Sequence, residues 1–123
     1  MRALLDTHVL LWWLADHKSL SAAHRALIAD SSNDLYVSAV TATEIAIKAS
    51  LGKLRAPEGV ADAITEGGFR ELPLTARHAE ALRTLPWHHR DPFDRMLVAQ
   101  ALTEQLVLVT ADDRLRAYPV SCV

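Results

Sequence analysis

The sequence predicts a three-layer α/β domain with helices on both faces of a parallel sheet of about five strands. Short apolar runs of strand length recur at Ala3–Leu5, Leu35–Val37, Arg70–Leu72, Leu106–Val109 and Val120–Val123. The stretches between them are long and show helical spacing, which suits crossovers between parallel strands rather than hairpins. The 123 residues are 50% hydrophobic, with no repeat and no Pro/Gly/Ser-rich linker, so one domain spanning residues 1–123 is expected. A chain of this size buries about two-thirds of its unfolded surface, enough for a sizeable core.

Each element has its own local reason. The first strand runs into Asp6-Thr7, either of which can cap a helix over His8–Ala15. A helix over Ser21–Ala29 leads to the second strand, and Thr41–Leu51 follows it with helical spacing. Gly59–Glu66 reads as a short helix before the third strand. Ala76–Leu85 carries Arg77, His78, Glu80 and Arg83 on one side and Ala79 and Leu82 on the other, the pattern of a surface helix. Asp91-Pro92 reads as N-cap and N1 of a helix over Pro92–Gln105, with Asp94 at N3, where an acid can return a bond to the cap. After the fourth strand, Asp112 can cap a short turn through Leu115.

Composition excludes several classes. Lys and Arg total 13 against 15 Asp and Glu, a formal charge of −2, so no strongly basic nucleic-acid domain is present and any polyanion must be bound locally. Cys122 is the single cysteine, which rules out a disulfide framework and a thiolate metal site and suits a reducing cytoplasm. The apolar run Val9–Ala15 is far short of a bilayer span and lacks a basic start, so neither a membrane anchor nor a secretion signal is expected. There is no GxGxxG, Walker A or GxSxG pattern.

In an open parallel sheet, ligands bind beyond the carboxyl ends of the strands. The first strand exits into Asp6-Thr7-His8 and the fourth into Thr110-Ala111-Asp112-Asp113. Glu44 lies about one turn into the helix after the second strand. Its plain role is an i,i+4 pair with Lys48, worth a few tenths of a kcal/mol on an exposed face. Asp94 continues the apolar stripe of Leu97, Val98 and Ala101, so its carboxylate points toward the protein body and needs a partner. Arg95 or Arg90 is one such partner and a metal ion another. If the sheet winds outward both ways from the first strand, in the order 3-2-1-4-5, then Asp6, Glu44, Asp94 and Asp112 converge at the switch point. Unit charges about 5 Å apart at an effective dielectric near 20 repel by roughly 3 kcal/mol per pair, so such a cluster requires protons or divalent cations. All-oxygen ligands favour a hard ion, Mg²⁺ or Mn²⁺.

Other features carry less weight. His88, His89 and Asp91 have zinc-compatible side chains, but adjacent loop histidines are more often solvated. Trp12 and Trp13 sit side by side on a short helix, so one can enter the core while the other serves an interface.

Leu4-Leu5-Asp6-Thr7-His8-Val9-Leu10-Leu11-Trp12, Ser38–Lys48 with Glu44, Asp91-Pro92-Phe93-Asp94-Arg95 followed by Leu97-Val98-Ala99-Gln100-Ala101, and Leu108-Val109-Thr110-Ala111-Asp112 together resemble a PIN-domain ribonuclease of the VapC toxin type. The resemblance runs nearly end to end. It implies a metal-dependent endoribonuclease with acidic positions Asp6, Glu44, Asp94 and Asp112, the ion held by Asp6, Asp94 and Asp112, and Thr7 and Thr110 as accessory polar groups. It also implies a homodimer restrained by a cognate antitoxin. Within the motifs Asp91 competes with Asp94, and Asp113 with Asp112. Asp94 is favoured by its buried stripe and by the helix that follows it, and Asp112 by its shorter step from Thr110. Lys48, Lys53, Arg90, Arg95, Arg114 and Arg116 are candidates for RNA phosphates, each also readable as ordinary surface charge.

Two other functions remain open from the residues. One is a catalytically silent PIN-like module whose acidic pocket accepts an arginine from a partner. The other is an aspartyl-phosphate phosphotransfer enzyme using Asp6, against which stands His8, where a haloacid-dehalogenase pattern wants a second Asp. Setting aside the four clustered acids leaves 13 bases against 11 acids, so the remaining surface mildly suits a polyanion.

Overall fold

A computed structural model describes residues 1–123. Four strands, β1 (Arg2–Leu5), β2 (Asp34–Ser38), β3 (Arg70–Leu72) and β4 (Val107–Val109), form one parallel sheet in the order β3-β2-β1-β4. Six α-helices connect them: α1 (Thr7–Leu14), α2 (Ala22–Ala29), α3 (Ala39–Ser50), α4 (Val60–Glu66), α5 (Ala76–Ala81) and α6 (Pro92–Glu104). No helix is long and apolar enough to cross a membrane.

Alternation along the strands makes the three layers. Ala3 and Leu5 of β1 point into a core with Val9 and Leu10 of α1, Ile28 of α2 and Ile64 of α4. Leu4, between them, points to the opposite core with Val40 of α3 and Leu97 and Val98 of α6. Both faces of the sheet are thereby dry, as parallel pairing requires.

The expected strand order holds, with one correction. The fifth strand, expected over Val120–Val123, shrinks to a single parallel bridge between Cys122 and Leu108 on the outer edge of β4. The Leu108 N–H donates to Ser121 O at 2.8 Å, and the Val123 N–H donates to Leu108 O at 3.0 Å. A 3-10 helix over Asp113–Ala117 and then Pro119, which has no N–H to pair, keep the chain off β4 until Ser121.

Capping sets the helix starts. Asp6 caps α1 through the His8 N–H, Ser38 caps α3 through the Val40 N–H, and Asp91 caps α6 through the N–H groups of Phe93 and Asp94. Because α3 begins at Ala39 rather than Thr41, Glu44 stands in its second turn.

The helix expected over Ala76–Leu85 is α5 followed by a 3-10 turn over Leu82–Thr84, and it does not leave His78 in solvent. His78 is buried because it completes a capping box with Thr75: its N–H donates to Thr75 Oγ1 and its Nδ1 accepts the Thr75 N–H. Its Nε2 lies 2.8 Å from Glu104 Oε1 on α6.

Candidate metal centre at the switch point

β1 and β4 are neighbours, but the chain leaves them for different sides of the sheet, so the switch point lies between their carboxyl ends. A cleft of about 770 Å³ opens there, lined by Asp6, Glu44, Asp91, Asp94, Asp112 and Asp113 against the cations Lys48, Arg90 and Arg114. Asp6, Glu44, Asp94 and Asp112 therefore share one cleft, brought together from four different elements.

Asp6 is almost completely buried and tightly held. Its N–H donates to Val109 O of β4 at 3.0 Å, and its carboxylate accepts from the His8 N–H and the Thr110 hydroxyl. Burial pushes its pKa up, against the opposing pull of those two bonds. Thr110 also accepts the Asp112 N–H at 3.0 Å, so one hydroxyl links the ends of β1 and β4. Thr7, the other expected accessory group, does not line the cleft. Its hydroxyl meets Thr41 Oγ1 at 3.0 Å and ties α1 to α3.

Glu44 is buried, and its pair with Lys48 at 2.5 Å is a cleft contact rather than an exposed helix pair. The Lys48 ammonium also reaches Asp91 at 3.9 Å. The second Glu44 oxygen, Oε1, is buried without any hydrogen-bond partner. An orphaned carboxylate oxygen beside other acids is costly unless a cation or water completes it.

Asp94 has the most perturbed carboxyl of the cleft. Desolvation first, then the charges of Asp91, Asp6, Glu44 and Asp112, push its pKa up to about 7. Asp112 moves the other way, to about 2, because Arg114 grips it with Nε at 3.0 Å and Nη2 at 2.8 Å. Arg114, a candidate for phosphate, is thus engaged with a cleft acid.

Arg95 answers neither expectation placed on it. Its guanidinium is buried away from Asp94, donates to Pro86 O at 2.8 Å and Leu85 O at 3.1 Å, and lies 3.6 Å from the centre of the Trp87 ring. Trp12 and Trp13 both pack, partly buried, against the core that contains Leu5 and Val9, and Trp12 also lines the cleft and stacks on His17.

His89 is the residue that sequence reasoning undervalued. It is 7% exposed, and its Nε2 lies 3.3 Å from both Asp94 Oδ2 and Asp112 Oδ2. Its Nδ1 accepts the Asp91 N–H at 3.0 Å, and this assignment places the ring proton on Nε2. The Asp91 N–H is thereby taken, so Asp94 does not return the bond of a capping box and faces His89 instead. In this tautomer Nε2 is a donor between two carboxylates, so His89 orients them, and the ligand atoms of His89, Asp94 and Asp112 all lie within 4.8 Å of one another. The available signal was its neighbour: Asp91 caps α6 two residues on, which anchors the loop that carries His89.

The family model of the PIN domain matches residues 3–120. The chain belongs to the PIN-domain family. It is 31% identical over 118 residues to Ribonuclease VapC22 of Mycobacterium tuberculosis, covering 94% of this chain and 90% of that protein. The PIN fold is shared with the crystal structure of VapBC2 from Rickettsia felis bound to a promoter DNA fragment, at a TM-score of 0.72, 15% identity and 100% and 98% coverage. It is also shared with a toxin-antitoxin complex from Klebsiella pneumoniae, at a TM-score of 0.66, 19% identity and 98% and 95% coverage.

Proposed function

We propose that this PIN domain is a divalent-metal-dependent endoribonuclease acting as the toxin of a toxin–antitoxin pair, with Mg²⁺ or Mn²⁺ as cofactor. The observation that carries the metal is the convergence of Asp6, Glu44, Asp94 and Asp112 on one cleft, with Glu44 Oε1 buried and unpartnered among them. An all-oxygen donor set fits a hard cation, which relieves the repulsion among these groups. The relative named as a ribonuclease supports the reaction, and the neighbour described as a toxin-antitoxin complex supports an antitoxin protein as partner. A homodimer and a cytoplasmic setting complete the proposal.

Asp6, Asp94 and Asp112 would hold the ion. When bound, it supplies positive charge that acidifies a water and stabilises the negative charge developing at phosphorus. The chain does the rest. Glu44 Oε1 would orient the attacking water, while Lys48 holds the other Glu44 oxygen and fixes the side chain's direction; as the water oxygen bonds to phosphorus, the bridging P–O bond breaks and the water's proton passes through solvent to the leaving oxygen. Thr110 keeps the Asp6 carboxylate in place, and Arg90, which lines the cleft, would take a flanking phosphate.

Purified, partner-free protein is expected to cut structured RNA with Mg²⁺ or Mn²⁺ and to stop in EDTA or as Asp6→Asn with its fold intact. Unchanged cleavage by Asp6→Asn removes the proposed site. Tight metal binding without cleavage indicates the silent module instead, and a phosphorylated Asp6 indicates the phosphotransfer enzyme.

His89→Ala is expected to weaken Mn²⁺ binding by roughly 10–100-fold, the usual effect of losing a group that orients ligands. His89→Gln keeps an N–H donor and is expected to lose less. Calorimetric titration of both variants checks this, and equal affinities for Ala and wild type refute the orienting role.

A further inference from the structure

We propose that Trp87 is a stacking platform for an unpaired base of the RNA strand, adjacent to a phosphate held by Arg90; this rests on the ribonuclease reading above. Trp87 is 75% exposed, the most exposed of the chain's large hydrophobic side chains. It is not loose. The Arg95 guanidinium lies 3.6 Å from its ring centre, and the same guanidinium donates to the carbonyls of Leu85 and Pro86, the two residues that precede it. Arg95 is itself buried, so one face of the indole rests on a fixed support and the ring stands open to solvent.

Its position points to nucleic acid. Trp87 is two residues before His89, a separation of at most about 7 Å along the chain, and His89 bridges two cleft carboxylates. Beside the ring lies a hollow of about 190 Å³ lined by Leu82, Trp87, Arg90, Pro92, Arg95 and Met96. Arg90 lines both this hollow and the acidic cleft. A strand whose phosphate meets Arg90 therefore sets a neighbouring base against Trp87. Aromatic faces paired with cations are how proteins grip single strands, because every base has a π-face. A protein partner fits less well: none of the other exposed large apolar side chains (Met1, Ile47, Leu51 and Leu74) lines the hollow.

The test is steady-state cleavage of a single-stranded RNA oligonucleotide by the full chain, with abasic sites introduced one at a time around the cut. Trp87→Leu is expected to raise KM by about ten- to hundredfold with kcat unchanged, the signature of lost uniform binding. Trp87→Phe is expected to stay within a few-fold of wild type. At one abasic position, wild type and Trp87→Leu are expected to become equal. The proposal is overturned if Trp87→Leu keeps the wild-type KM, if its defect persists at every abasic position, or if its only defect is in self-association or partner binding. A wild-type chain that fails to cut RNA overturns the ribonuclease reading first and this inference with it. A wild type that cuts while Trp87→Leu matches it overturns the stacking alone.

Discussion

Asp94→Asn is expected to eliminate RNA cleavage and, at the same time, to stabilise the metal-free protein at pH 8. The loss of activity should exceed the roughly 10–100-fold typical of groups that only orient ligands, because Asp94 is a proposed ligand itself. The gain in stability follows from linkage. Burial and four neighbouring carboxylates raise the Asp94 pKa from 3.8 to about 7 in the folded chain. Between these values the folded state binds more protons than the unfolded state, so stability falls as pH rises and levels off above about 7. The span caps the penalty at about 4 kcal/mol, and solvent access at the cleft reduces it to about 2 kcal/mol. Asparagine carries no charge at any pH, so the variant should melt higher than wild type at pH 8, with the two converging below pH 4. A saturating divalent ion should have the opposite pattern. At a hundred times its Kd it stabilises wild type by about 2.7 kcal/mol, and it should do little for the variant. Since the proton and the cation compete for Asp94, metal-limited cleavage should rise with pH through about 7. Thermal melts across pH, with and without Mn²⁺, check the set. An Asp94→Asn protein that melts lower than wild type at pH 8 contradicts the account.

The acids were legible because topology places them. The exit of a parallel strand is a single point in the chain, so Asp6 and Asp112 follow from finding β1 and β4, and Asp94 follows from its register on the buried stripe of α6. Their neighbours were not legible for a common reason. His89 is buried partly because its N–H donates to the Tyr118 hydroxyl, 29 residues away, in a segment with no periodic signal. Arg95 stands beside Asp94 in sequence, yet one step along a helix turns it through about 100° and away from the cleft. His78 reads as polar surface because a capping box and a partner on α6 have no hydrophobic signature. The fifth strand failed for a different reason: apolar composition marks Val120–Val123 as burial-competent but says nothing about how many backbone groups β4 leaves to pair.

Arg95→Ala is expected to have the largest stability cost of any surface-seeming substitution in the chain, about 3 kcal/mol, or about 12 °C in melting temperature for a domain of this size. The side chain uses both terminal nitrogens: Nη1 donates to Pro86 O and the Tyr118 hydroxyl, and Nη2 to Leu85 O. Truncation leaves buried acceptors unpaired and removes the support of the Trp87 ring. Arg95→Lys should recover little, because a single ammonium nitrogen cannot span the same acceptors. The effect should also travel. The Tyr118 hydroxyl accepts from both Arg95 and the His89 N–H, so loosening one end of this link frees the imidazole that spaces Asp94 and Asp112. Reduced metal affinity is therefore expected alongside the lower melting temperature. An arginine that served RNA phosphates would behave differently: its removal would lower the salt dependence of RNA binding by about one unit of slope and leave the melting temperature alone. Melting curves and salt titrations of Arg95→Ala and Arg95→Lys separate the two roles, because an anchor buried under a loop and a cation facing a polyanion cannot give the same pair of results.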